Sequence, residues 1–228
     1  MHHRPVASAA DVYVTHAFDA DFDALYSFLF ATREENLYFR EPDEVRAMLE
    51  QRVFVLLRDV ETNAILGACY VRGDDAPEET FELGGIYLAE STRGSGLADW
   101  MCRAALVNLY ATTQHRGLIL AHVRVGNPRP RKLLERLGFR DVGRRETHPA
   151  QQVPGLAHMT PDADGNVHAD LFHFDPAAWR GHVAELINMP RAVRGRAGNS
   201  LGLDVVLDVV LESCEPEVLE EMLADFAP

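Results

Sequence analysis

Six residues, Arg93-Gly94-Ser95-Gly96-Leu97-Ala98, constrain this chain more than any others. They follow an apolar run, Leu83 to Leu88, and open a helical pattern that begins near Leu97. A strand, a tight glycine turn and a helix start belong to folds that layer helices on a sheet. Backbone N–H groups converge at such a turn, and the helix dipole adds partial positive charge. Glycine permits the close approach and the unusual dihedral angles required there. The natural ligand of the turn is a pyrophosphate. Taken alone, the same residues also suit a plain loop before an ordinary helix.

A second segment narrows the choice. Leu118 to Val125 is an apolar strand, and Asn127-Pro128-Arg129-Pro130-Arg131-Lys132-Leu133-Leu134-Glu135-Arg136-Leu137-Gly138-Phe139 follows it. Asn127 is suited to cap a helix with Pro128 in its first turn. Gly138 ends that helix and Phe139 starts the next strand.

Together the two segments resemble the GNAT superfamily of N-acetyltransferases. Its pyrophosphate motif reads Gln/Arg-x-x-Gly-x-Gly/Ala, filled here by Arg93, Gly96 and Ala98. Its second motif runs from an Asn to Leu-Gly-Phe, matched by Asn127 and Leu137-Gly138-Phe139. The resemblance covers roughly residues 11 to 175 and leaves the C-terminal tail unmatched. It implies an α/β (α+β) fold: a mixed, mostly antiparallel central sheet flanked by helices, with a C-terminal extension. It also implies acetyl-CoA as acyl donor and an amine as acceptor.

The resemblance assigns site residues. Backbone N–H groups of Gly94, Ser95, Gly96, Leu97 and Ala98 would hold the pyrophosphate, with Arg93, the first residue of the motif, counted among the cofactor-binding positions. Ile86, Tyr87 and Leu88 would pair with the pantetheine amides as an added strand does. Asn127 falls where the family contacts the cofactor. Arg131, with Arg129 and Lys132, would reach phosphate oxygens or form a solvated basic face. Glu82 is the candidate base, on the strand before the turn, and burial there would raise its pKa. His122 on the next strand is the second candidate. The family's general-acid Tyr is replaced by Leu134, which cannot donate a proton; Tyr87 and Tyr110 are the nearest alternatives. The departure keeps a second function open, an acyl-CoA-binding module with weak or no catalysis.

Composition sets outer bounds. A formal charge of −13 argues against nucleic acid, which needs a basic footprint, and suits a cationic amine. No apolar run approaches the roughly 20 residues that span a membrane. Cys69, Cys102 and Cys214 are widely spaced in apolar surroundings, as in a reducing compartment, and no zinc spacing exists. We expect a cytoplasmic protein that acylates a small-molecule or protein amine, with a homodimer implied by resemblance alone.

Residues 1–189 read as the acyltransferase domain, and 190–228 as a linker and C-terminal extension that packs on the domain or on a partner. Strands are expected over 12–18, 52–60, 64–72, 80–88, 117–125, 139–145 and 169–174. Helices are expected over 19–32, 41–51, 97–113, 128–137, 176–189 and 217–226. Residues 33–40, 73–79 and 147–158 read as loops, 162–166 as a hairpin turn and 190–200 as a flexible linker. Leu201 to Glu212 fits two states: its valines favour a strand, while Asp204, Asp208 and Glu212 share a helix face.

Overall fold

A computed structural model describes residues 12–73, 80–113, 117–187, 192–194, 204–209 and 214–225. The expected acidic loop falls largely on 74–79, outside the described residues, as does most of the expected linker.

The chain runs β1 (Val12–His16), α1 (Phe22–Thr32), α2 (Pro42–Glu50), β2 (Phe54–Asp59), β3 (Ile65–Gly73), β4 (Phe81–Leu88), α3 (Leu97–Thr113), β5 (Ile119–Arg124), α4 (Pro128–Arg136), β6 (Phe139–Pro149), β7 (Asn166–Phe174) and α5 (Trp179–Ile187). Then come β8 (Ala192–Arg194), β9 (Asp204–Val209) and α6 (Pro216–Asp225). One sheet takes the order β6-β7-β5-β4-β3-β2-β1-β9-β8. Strands β1 to β7 form a seven-stranded mixed sheet in which only β4 and β5 run parallel. The tail extends it: β9 lies parallel to β1, and β8 pairs antiparallel with β9.

Two apolar layers hold the sheet. On one face α1 and α2 bury Leu25, Leu29, Val45 and Leu49 against Phe54, Leu56, Tyr70 and Tyr87. On the other, α3 is apolar on nearly all sides and packs Met101, Ala104, Ala105 and Leu106 against Val55, Leu83, Ile119 and Phe172. Helices α4, α5 and α6 complete that second layer through Leu134, Val183, Leu219 and Met222. Alternation within the strands produces this division: Cys69 and Val71 face α3, whereas Ala68 and Tyr70 face α1.

Local chemistry fixes several boundaries. Glu41 and Glu44 form a reciprocal capping arrangement at the start of α2, with Pro42 in its first turn. The β2–β3 turn places Asn63 at φ 56, and Asp59 accepts hydrogen bonds from the Thr62 backbone and hydroxyl. The helix expected over 19–32 is divided at its start, where Asp19–Asp21 forms a separate 3-10 turn. Strand β6 runs four residues further than expected, to Pro149, because β7 supplies partners as far as Asn166. The ambiguous tail segment resolves as strand over Asp204–Val209, since β1 offers it an edge. The expected linker is interrupted by β8 at 192–194.

Candidate active site

The parallel strands β4 and β5 pair only at Phe81↔Ile119 and Glu82↔Leu120, and then diverge. The cause lies on the opposite edge of β4. Tyr70 pairs with Gly84 and Ala68 with Tyr87, so Gly85 and Ile86 face Cys69 alone. An extra residue of this kind bends a strand. Gly85 sits at φ +56, and a Cβ there would lie 2.3 Å from the Tyr70 ring. Only glycine lets the ring cross this close to the backbone. Among the described residues, the outer edge of 84–88 is thereby left without a strand partner.

At the far end of the gap β4 runs into the glycine turn. Gly94 and Gly96 take φ +77 and +90, and a Cβ on either would meet nothing within 4 Å. Ser95 is buried; its hydroxyl donates to the Thr92 carbonyl (2.6 Å) and accepts from the Leu97 N–H (3.2 Å). The turn is therefore braced from inside and open on its outer side, where α3 presents its N-terminus. That arrangement suits a pyrophosphate.

Several side chains at the expected cofactor positions are otherwise engaged. The Arg93 guanidinium folds back on the Leu88 carbonyl and pairs with Glu34 at 2.6 Å. Tyr87 points into the α1–α2 layer, and its hydroxyl donates to the Tyr38 carbonyl (2.8 Å). Arg131 pairs with Asp141 (2.7 Å) and Asp170 (2.6 Å) and lies over the Phe172 ring. An anion approaching Arg131 would have to displace two carboxylates, which leaves this guanidinium poorly placed for phosphate. Asn127 occupies the N-cap position of α4 without making a side-chain cap bond. Asn127→Ala is therefore expected to change stability by less than about 0.5 kcal/mol, short of the usual ~1 kcal/mol for a lost cap. Melting temperature, read beside acetyl-CoA affinity, checks this.

Glu82 and His122 meet at the narrow end of the gap. Glu82 Oε1 lies 3.2 Å from His122 Nδ1, and Glu82 Oε2 lies 3.2 Å from Arg72 Nε and 3.9 Å from Arg40. Burial works to raise the Glu82 pKa, as the sequence suggested. The hydrogen bond from His122 and the charges of His122, Arg72 and Arg40 outweigh it, and the carboxyl titrates below its ordinary range. The expected upward shift is corrected on that ground. His122 moves the other way: its bond to Glu82 holds its pKa above 6.5, burial opposes this, and the charges of Glu82 and Glu146 add to it. Its side chain is 29% exposed.

Several neighbours carried no signal in the sequence. Glu146 on β6 places Oε2 3.2 Å from His122 Nε2. Arg40, itself buried, donates to Tyr70 (2.8 Å) and Glu44 (3.0 Å) and stacks on the Tyr38 ring. Burial and the Glu82 charge push the Tyr70 phenol up to about 12, so it remains neutral. Arg124 at the end of β5 ties the loop after α1 to the β6–β7 connection through Asn36 Oδ1 (2.8 Å) and the Thr160 carbonyl (2.7 Å). Phe39 N–H bonds to the Gly155 carbonyl (3.0 Å) in the same place. The loop after α1 and the β6–β7 connection therefore meet there. Of the two suggested proton donors, Tyr87 is engaged with the Tyr38 carbonyl and Tyr110 packs on Trp179 at 5.0 Å; Leu134, at the family's Tyr position, is buried in the core.

Comparison with solved structures supports the fold. The chain matches the loading GNATL domain of CurA from Lyngbya majuscula with TM-score 0.56 at 13% identity, over 73% of this chain and 98% of that one. Diaminobutyrate acetyltransferase EctA from Paenibacillus lautus, solved with its substrate and coenzyme A, gives 0.53 at 16%, over 74% and 96%. The yncA protein of Salmonella typhimurium, solved with its cofactor acetyl-CoA, gives 0.54 at 16%, over 73% and 94%. No curated protein sequence matches the chain. The family profile described as the acetyltransferase (GNAT) domain matches residues 4–140, more than half of the chain. With the diverging β4–β5 pair and the open glycine turn, that match establishes that the chain belongs to the GNAT acetyltransferase family.

Proposed function

We propose that this chain transfers an acetyl group from acetyl-CoA to a primary amine of a small molecule or a protein, by direct attack. One observation carries the reading: the gap beside β4 has an open anion cradle at one end and the Glu82–His122 pair at the other. The backbone of Gly94 to Ala98 would hold the pyrophosphate, and the edge of Ile86 to Leu88, where Arg93 caps the Leu88 carbonyl, would pair with the pantetheine amides. Bound there, acetyl-CoA supplies an activated thioester.

The remaining task is a proton. An amine at neutral pH arrives largely as ammonium and must lose a proton before it attacks. Each His122 ring nitrogen lies 3.2 Å from a carboxylate oxygen. An ionised carboxylate only accepts hydrogen bonds, so this is the geometry of an imidazolium donating to both sides. The raised pKa carries the protonated ring to higher pH, and the neutral ring that forms above it is the proton acceptor. Glu82 stays ionised, holds Nδ1 and stabilises the cation that forms again when His122 takes the amine proton, the logic of other carboxylate–histidine pairs.

Because the His122 pKa is raised, its neutral form appears only above the ordinary imidazole range. Acetyl transfer is expected to rise with pH along a one-proton limb with its midpoint above 6.5. His122→Ala should lower kcat/KM by roughly 100- to 10,000-fold and remove the limb. Glu82→Gln should shift the limb to lower pH and lower the rate. A His122→Ala protein that keeps its rate and its limb would overturn the assignment.

The buried Leu134 favours a second reading, an acyl-CoA-binding module without turnover. Free-thiol release that depends on an added amine, measured across a broad amine panel, separates the two.

A further inference from the structure

The pairing register explains how Glu146 reaches His122. His122 pairs with Leu171 and Arg124 with Ala169, while Glu146 pairs with the same Ala169 from the other edge of β7. Between the pairs Asp141↔Phe172 and Arg145↔Asp170, residues 142–144 of β6 face Leu171 alone. This bulge, with Gly143 at φ +68, shifts β6 by two residues. Without it Arg144, a cation, would stand opposite Ala169. With it a carboxylate does, and Glu146 Oε2 spans β7 to reach His122 Nε2 at 3.2 Å.

We infer that Glu146 is a positioning residue: it clamps the His122 ring from the side opposite Glu82 and sets the pH range in which that ring can accept a proton. Glu82 and His122 were each expected at the site from the sequence, as separate candidates; Glu146 was not. A ring held at one nitrogen can rotate about χ2 or lose its partner to solvent. In the imidazolium form a ring held at both nitrogens cannot turn without breaking a charged hydrogen bond, which is about twice as strong as a neutral one; in the neutral form Nε2 carries the lone pair that accepts the amine proton, and its bond to Glu146 is given up. Glu146 is also tunable from outside. Arg144 lies 3.5 Å from its Oε1 and His148 Nε2 lies 3.5 Å from its Oε2. The other charged or titratable groups around His122 are Glu82 on β4, backed by Arg72 of β3 and by Arg40. The register adds His173 on β7 and Arg124 on β5 to the same face of the sheet.

The kinetic part of this inference rests on the acetyl-transfer reading; the contact itself does not. The experiment is an NMR titration of the His122 ring in the full chain, for the wild type and for Glu146→Gln, paired with the pH profile of amine-dependent thiol release from acetyl-CoA. Glutamine preserves size and one acceptor and removes the charge. The His122 midpoint is expected to fall by about one unit, the usual scale for loss of one adjacent opposite charge. The kinetic limb should move to lower pH by the same amount, with a lower plateau above it because the freed ring is a weaker and less well placed base. Glu146→Asp, which keeps the charge on a shorter arm, should recover part of the shift. An unmoved NMR midpoint in Glu146→Gln overturns the clamp, whatever the enzyme does. A midpoint that moves while the kinetic limb stays fixed overturns the catalytic part, because the limb then belongs to another group. If the midpoint moves and no amine yields thiol, the clamp stands and the acetyl-transfer reading fails.

Discussion

Replacing Gly96 with glutamate is expected to abolish acetyl-CoA binding while leaving most of the fold intact. The position is open on its outer side: a Cβ there would have no heavy atom within 4 Å, so the new side chain starts out into open space. It does enter the space a pyrophosphate would fill. A unit charge about 5 Å from a phosphate costs roughly 3 kcal/mol at an effective dielectric of 20, more than a hundredfold in affinity before steric exclusion is counted. The backbone adds its own cost. At φ +90 a side chain strains the turn by about 1–2 kcal/mol, which should appear as a lower melting temperature. Gly94→Ala separates the contributions: it carries a similar strain at φ +77 and brings no charge, so it should lose stability and keep measurable affinity. Calorimetric titration with acetyl-CoA and thermal melts decide the matter. Affinity in Gly96→Glu within tenfold of the wild type would remove the pyrophosphate site from this turn.

The second large effect concerns stability in acid. His182 on α5 is buried, accepts from Arg103 (2.7 Å) at Nδ1 and donates from Nε2 to the Leu137 carbonyl (2.9 Å). Burial, then the Arg103 charge, drives its pKa from 6.5 down to about 4. In the unfolded chain the ring takes up a proton near pH 6.5, whereas in the folded chain it does so only near 4. Stability from this group is therefore full above pH 6.5 and is lost as pH falls toward 4. The total is about 3 kcal/mol, at 1.36 kcal/mol per pKa unit. His122 works in the opposite sense, since its raised pKa adds stability at low pH that is lost as pH rises through the folded value. The wild-type slope is thus best compared with that of His182→Gln, which keeps His122. Urea unfolding between pH 7.5 and 4.5 should show a steeper acid decline in the wild type than in the variant. Parallel slopes would mean that His182 is not held neutral.

What the sequence revealed follows from the range of the interactions involved. The glycine turn and the Asn127–Phe139 segment are local patterns, and each produced the element expected. The consequences of long-range pairing were less visible. Nothing near Gly84-Gly85 announces that the Tyr70 ring must lie against them, yet that contact bends β4 and opens the gap. Glu146 was read as lying beyond the end of a strand; the bulge at Gly143, which depends on β7, brings it to His122. Arg131 carried the right charge for phosphate, but Asp141 and Asp170 claim it only once β6 and β7 stand side by side. The tail valines could not choose between helix and strand until β1 supplied an edge. Even the sign of the Glu82 shift depended on partners from three other segments: burial was legible in the apolar run, and the cations that outweigh it were not.

The most direct test of the central claim is an NMR titration of acetyl-CoA into the isotopically labelled wild-type chain, followed at the backbone amides. The account predicts saturable shifts concentrated at Gly94 to Ala98 and Ile86 to Leu88, with the His122 ring signals moving alongside them. No saturable shifts, or shifts confined to residues away from the β4–β5 gap, would contradict it.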